Sequence, residues 1–175
     1  MAHGPRHFVP FRRRRDGQTD YQARTRMVLS EDPRMVVRVT NRQVIIQLVE
    51  AGMEGDRTLV AAYSPELREY GYTGTTANAP AAYLTGMLFA HKAAASGYTR
   101  AVLDIGLHRA TTGARVFAAL RGAVEAGMEI PHGESILPDD DRVSGAHIAA
   151  HDPERAGDLV ENVKAVADAI TQELK

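Results

Sequence analysis

The 175-residue chain contains no cysteine. That absence excludes a disulfide framework, a thiolate zinc site and a cysteine nucleophile together, and it suits a reducing cytosol. Lysine is nearly absent too: Lys92, Lys164 and Lys175 are the only ones, so 18 of the 21 basic residues are arginine. No apolar run approaches the ~20 residues that a bilayer-crossing helix needs, so no membrane span is expected. The early arginines are not followed by an apolar stretch, so they do not read as a secretory signal. Neither G-x-x-x-x-G-K-[ST] nor G-x-G-x-x-G occurs, which leaves no standard phosphate loop. No Ser, His and Asp fall in an order that argues for a hydrolase.

What is present is charge of one sign at one end. Residues 1–42 hold ten arginines against four acids, a net of +6, whereas residues 43–175 hold 11 basic against 18 acidic residues. The formal net charge of −1 therefore conceals a basic end. A basic arm on a folded body is the electrostatic footprint of a polyanion binder, most often nucleic acid. Arginine rather than lysine sharpens this, because the planar guanidinium grips phosphate in a bidentate fork and stacks on bases.

Hydrophobic patterning predicts an α/β protein. Residues 1–16 have no period and read as an extended arm with Arg12, Arg13, Arg14 and Arg15 at its end. Thr19 with Gln22 resembles a capping box that opens a short helix to about Leu29. Arg34 to Thr40 alternates, with Met35, Val37 and Val39 on one face and Arg34, Val36 and Arg38 on the other. Asn41-Arg42 reads as a tight turn into a second strand, Val44 to Leu48, and Thr58 to Tyr63 reads as a third. Asn78 and Pro80 mark a helix start and Gly97 its stop. Ala101 to Gly106 is a short apolar strand, Ala114 to Ala126 a second helix, and Met128 to Ile130 a last brief strand. Asp139, Asp140 and Asp141 are expected in a loop. Asp152-Pro153 opens a final helix with Leu159, Val163, Val166, Ile170 and Leu174 at helical spacing. The order β-β-β-α-β-α gives a mixed sheet with an antiparallel meander, packed by helices. Residues 1–30 form the basic arm and short helix, 31–132 the α/β core, and 133–175 a loop and helical extension.

Several groups carry possible chemistry. Asp104 ends a buried strand ahead of Gly106, Thr111 and Thr112, where an acid can hold a metal or face a phosphate, or simply bond local backbone. His147 and His151 are four residues apart, but Ile148 stands where a zinc-protease helix needs an acid. The acidic run 139–141 lacks the spaced ligands of a calcium loop. The loop Tyr70 to Thr76 can cradle phosphate or be plain connection. His108, Arg109, Thr111, Thr112 and Arg115 combine cations and hydroxyls just before a helix start, which binds anions through free N–H groups. The C-terminal apolar stripe packs either on this chain or on a protein neighbour. No cofactor and no metal are expected.

Six blocks then resemble one family: residues 4–24 (GPRHFVPFRRRRDGQTDYQAR), 33–49 (PRMVVRVTNRQVIIQLV), 58–64 (TLVAAYS), 78–86 (NAPAAYLTG), 102–132 (VLDIGLHRATTGARVFAALRGAVEAGMEIPH) and 142–148 (RVSGAHI). In this order they resemble the archaeal branch of large-subunit ribosomal protein eighteen, the universal 5S rRNA-binding family. The resemblance implies a non-enzymatic cytoplasmic ribosomal protein that helps attach 5S rRNA to the large subunit at the central protuberance. Its partners are 5S rRNA, large-subunit rRNA and neighbouring ribosomal proteins. It carries RNA contact over to Arg12, Arg13, Arg14, Arg15, Tyr21, Arg24, Arg26, Arg34, Arg38, Asn41, Arg42 and Gln47. It carries contact more weakly to His108, Arg109, Thr111, Thr112, Arg115, Arg142 and His147. Two other readings compete: a nucleotide-dependent phosphotransferase built on Asp104 and the following Gly/Thr loop, and a protein-interaction module whose working surface is the C-terminal stripe.

Overall fold

The alternation in residues 34–40 becomes the middle of a sheet. The computed structural model describes residues 4–173. In it β1 (Arg34–Val39) pairs antiparallel with β2 (Val44–Gly52), β2 pairs antiparallel with β3 (Gly55–Tyr63), and β4 (Val102–Asp104) joins β1 in parallel, giving the order β3-β2-β1-β4. The expected mixed sheet with its meander is the one observed. Met35, Val37, Ile46, Leu48 and Ala62 are fully buried on one face.

Two helices cover that face. In α3 (Ala79–Ala95) the side-chain oxygen of Asn78 accepts from the Ala81 N–H at 2.8 Å, and Pro80 occupies the first turn. α4 (Arg115–Glu125) lies against α3 with almost no gap. A Cβ on Gly86 would stand 2.1 Å from the Ala119 carbonyl oxygen, and one on Gly122 would stand 2.0 Å from that of Tyr83. Only glycine at both crossing points lets the backbones meet this closely. Phe89, Leu84, Leu88 and Leu120 are fully buried, each contributing about 1.5–3 kcal/mol through removal from water.

The C-terminal stripe belongs to the same core. Leu159, Val163, Val166 and Ile170 of α8 (Leu159–Glu173) are all buried and cluster with the sheet and α3. The stripe is thus occupied by its own chain and is not a free working surface. Leu174, read as its last member, lies outside the described residues.

Six local expectations change. The helix α2 (Tyr21–Val28) is capped by Asp20, whose Oδ1 accepts from the N–H groups of Gln22 (2.9 Å) and Ala23 (3.2 Å). Thr19 instead accepts from Arg13 Nε at 2.9 Å. Arg12–Arg15 are not extended but form one helical turn, α1. The Ala101–Gly106 strand shortens to three residues. The strand expected at Met128–Ile130 is a single parallel bridge between Arg100 and Glu129, because Pro131 has no N–H with which to extend a ladder. The acidic run is not a loop: Asp139 stands at the N-cap of α5 (Asp140–Ser144), and Asp140 and Asp141 occupy its first turn, where the helix dipole favours anions. The helix expected to run on from Asp152-Pro153 is broken: Asp152 caps only the short α7 (Pro153–Ala156), and the chain restarts as α8 at Leu159, while α6 (Ala146–His151) leads from α5 to α7.

Candidate nucleic-acid interface

The outer face of the sheet carries no core helix. Strand register places Arg38, Ile45 and Tyr63 in one row across it, and Asp104, Val36, Gln47 and Ala61 in the next. Apart from the buried Asp104, these side chains are half-buried or exposed. At the β1 start the face is crossed by a ladder of alternating charge.

The ladder runs Arg24, Asp56, Arg34, Asp104, Arg38. Arg24 Nη2 donates to Asp56 Oδ1 at 2.6 Å, and Arg34 Nη2 donates to Asp56 Oδ2 at 2.7 Å. Arg34 Nη1 donates to Asp104 Oδ2 at 3.0 Å, and Arg38 Nη2 donates to Asp104 Oδ1 at 3.0 Å. Arg38 Nη1 also donates to the Asp104 carbonyl at 2.8 Å, and the Gly106 N–H donates to Asp104 Oδ1 at 2.8 Å. The middle is buried, with side chains of Arg34 and Asp104 at 5% and 6% exposure, whereas the ends Arg24 and Arg38 stand at 37% and 41%. Three guanidiniums against two carboxylates leave one net positive charge, with the arginine ends facing solvent. Burial pushes the Asp56 carboxyl up, but hydrogen bonds and charge from Arg34 and Arg24 outweigh it and hold the group below its ordinary value of 3.8.

The basic arm adjoins this ladder. Phe11 packs on Tyr21 with ring centroids 5.1 Å apart. A cleft beside α2 is lined by Arg13, Thr19, Tyr21 and Arg24 on one side and by Arg34, Arg38, Asp104 and Gly106 on the other. Arg12, Arg14, Arg15 and Arg26 are exposed and make no ion pair among the described residues. Phe8 and Phe11 are exposed as well, which interleaves aromatic rings with the arginines.

The other end of the sheet adds the turn and the loop. The Thr40 hydroxyl oxygen accepts from the N–H groups of Arg42 (3.2 Å) and Gln43 (3.0 Å), which turns Asn41 and Arg42 outward. Because β4 runs parallel to β1, the loop after β4 leaves at this same end, and His108, Arg109, Thr111 and Thr112 on it are exposed. The segment before α3 joins the two: Thr76 donates to the Arg42 carbonyl at 2.6 Å, and Arg115 Nη1 donates to the Ala77 carbonyl at 2.6 Å.

Of the candidate residues, the structure brings Arg13, Tyr21, Arg24 and Arg38 to one cleft and Arg42 and Arg115 to the other end of the sheet through the segment before α3, with Asn41 in the same turn as Arg42 and Gln47 on the face between the two ends; Arg26 is exposed on α2 and does not line the cleft. Arg34 lies among them but is buried, and its two terminal nitrogens are committed to carboxylates, so it supports the surface rather than presenting itself. Arg142 is exposed on α5, and His147 Nδ1 bonds the Asp141 carbonyl at 2.9 Å. Both sit on the helical layer with α3 and α8, across the sheet from Arg38. Asp104 does bond local backbone, but a buried carboxylate also demands a cation, and the structure supplies Arg34 and Arg38, partners that the sequence reading did not assign to it. Asp56 gives no comparable signal, because in sequence it is one acid in a hairpin. Its carboxylate is shared by two arginines, and that of Asp104 is filled by two arginines and an N–H, which leaves the ladder as a structural device. Among the described residues no group of three His, Asp or Glu side chains is placed to hold a metal ion.

Comparison with known proteins matches this chain to the family described as ribosomal large subunit proteins 60S L5 and 50S L18, over residues 5–98 and 94–133. Among curated relatives, large ribosomal subunit protein uL18 of Methanoculleus marisnigri is 67% identical over 174 residues, 99% of each chain. The protein of the same name from Methanoregula boonei is 66% identical over 174 residues, again 99% of each. That from Methanothermobacter thermautotrophicus is 55% identical over 148 residues, 85% of this chain and 77% of the relative.

Proposed function

We infer the role of this chain from the family to which it belongs, the ribosomal large subunit proteins 60S L5 and 50S L18: it is a structural protein of the large ribosomal subunit, associated with ribosomal RNA, and not an enzyme. Within that role we propose that it binds 5S rRNA and helps attach it at the central protuberance, in contact with large-subunit rRNA and neighbouring ribosomal proteins, in the cytoplasm.

The observation that carries this reading is the outer sheet face with its arm. Arg12, Arg14, Arg15, Arg26 and Arg42 are exposed and their side chains make no ion pair among the described residues, while the acids of the ladder are already paired. Arginines held this way contact phosphate and fix register, while half-buried Gln47 and the Asn41 turn reach into a shallow groove. Phe8 and Phe11 offer rings on which unpaired bases stack. The phosphotransferase reading has no support at Asp104, whose carboxylate accepts from two arginines and the Gly106 N–H.

The test is a titration with folded 5S rRNA and an unrelated folded RNA of equal length, at two salt concentrations. Tight, selective binding is expected. Substituting Arg12 to Arg15 by alanine weakens it and makes the salt dependence shallower, because fewer counterions are released. Equal, weak binding to both RNAs refutes the 5S assignment.

A further inference from the structure

We propose that Asp56 is a positioning residue for RNA binding: by holding Arg24 and Arg34 on one carboxylate it docks α2 and the arm on the sheet so that their arginines face phosphate. The proposal rests on the RNA-binding reading above and adds a residue that would itself repel RNA.

The arm needs such an anchor. Neither α1 nor α2 buries a residue. Among the described residues, the Arg24–Asp56 pair is the side-chain hydrogen bond and ion pair that ties residues 4–30 to the sheet; the Glu31 N–H also donates to the Val28 carbonyl at 3.3 Å, but only as the turn that leads out of α2. The apolar contact is shallow: Tyr21, Ala23 and Met27 are only half-buried, and Val28 and Leu29 are exposed. A segment with no buried side chains opens locally at little cost. The directional part of its docking is therefore the Arg24–Asp56 tether.

The tether is itself held from inside. Buried Asp104 fixes Arg34, Arg34 fixes Asp56 Oδ2, and the free edge of Asp56 catches Arg24 at the surface. The two carboxylate oxygens take one arginine each, so the pair is directional rather than a diffuse attraction. Arg24 and Arg26 share α2 with Tyr21, on which Phe11 and hence the Arg12–Arg15 turn is seated. Order therefore passes from the sheet interior to the arm, and binding loses less entropy when the arm is already oriented.

Charge and position make opposite predictions here. If Asp56 acts only as a negative charge beside a polyanion site, removing it tightens RNA binding and steepens its salt dependence. If it positions α2, removing it weakens binding. The variants are Asp56→Asn, Asp56→Glu, which keeps the charge but moves it by one methylene, and Glu54→Gln, which removes an exposed charge of the same hairpin that makes no ion pair among the described residues. Two readouts are taken on the full chain: hydrogen exchange of the α2 amides without RNA, and titration with folded 5S rRNA.

The expected result for Asp56→Asn is faster α2 exchange and an affinity lower by roughly tenfold, the scale of one charge-assisted hydrogen bond. Asp56→Glu falls in between, and Glu54→Gln binds as tightly as the native chain or tighter. Native α2 exchange in Asp56→Asn, or native or tighter RNA binding by it, overturns the proposal, as does full native behaviour of Asp56→Glu. Failure of the native chain to bind the RNA refutes the underlying reading, and the proposal falls with it. That failure is seen in a separate arm, because α2 exchange is measured without RNA.

Discussion

Arg34 and Asp104, seventy residues apart in sequence, form a buried ion pair at 3.0 Å that joins β1 to β4 beneath the outer sheet face. The pair is the hub of the charge ladder: Asp56 hangs on one side of it and Arg38 on the other. Deleting one partner strands a buried charge. Asp104→Ala is therefore expected to destabilise the chain by about 3–5 kcal/mol, the range for breaking a buried pair. Asp56→Asn, at a half-exposed site, costs far less. Urea denaturation of the two variants tests this ordering, and equal midpoints would refute it.

A second prediction concerns the helix crossing. Gly86→Ala and Gly122→Ala each place a Cβ about 2 Å from a backbone carbonyl oxygen, so the helices must separate. Each is expected to lower stability by about 1–3 kcal/mol or more. The double variant costs less than the sum, because one separation relieves both clashes. Thermal or urea unfolding of the three variants measures this, and full additivity would argue against a shared crossing point.

The C-terminal helix is a third case. Ile170 is fully buried in the common core, and Ile170→Ala should cost about 2–5 kcal/mol while leaving RNA affinity unchanged in conditions where the variant is folded. A variant of native stability would mean that α8 is a detachable tail.

The fourth concerns pH. Arg34 and Arg24 hold Asp56 below its ordinary value despite burial. A carboxyl with a lowered folded-state pKa contributes stability that is fully present above its unfolded pKa. That contribution is lost as pH falls through the folded value. The stability gap between the native chain and Asp56→Asn should thus be constant from neutral pH down to about 5 and close below about 4. Unfolding midpoints across that range read it directly, and a gap that widens on acidification would contradict the ladder.

These residues also show what sequence conveys. Alternation in Arg34–Val39, the Asn78 cap and the spacing of Leu159, Val163, Val166 and Ile170 are local patterns, and each reports one element faithfully. Alternation also placed Arg34 on the outer face correctly. Its burial depends on Asp104 and Asp56, brought alongside by strand register and a parallel crossover, and no local window contains them. Thr19 and Asp20 are both competent caps; the choice went to Asp20 because Thr19 is taken by Arg13. Three adjacent aspartates resemble a solvated loop, yet the same charges suit a helix start. The basic arm was legible as charge alone, whereas its tether to Asp56 was not.

The most direct test of the account is hydrogen exchange of the full chain with and without folded 5S rRNA. The account predicts added protection in residues 12–26, around the Asn41 turn and Gln47, and in the loop from His108 to Thr112, with α8 unchanged. Protection confined to α5–α8, with the arm and the outer sheet face exchanging as in the free protein, would contradict it.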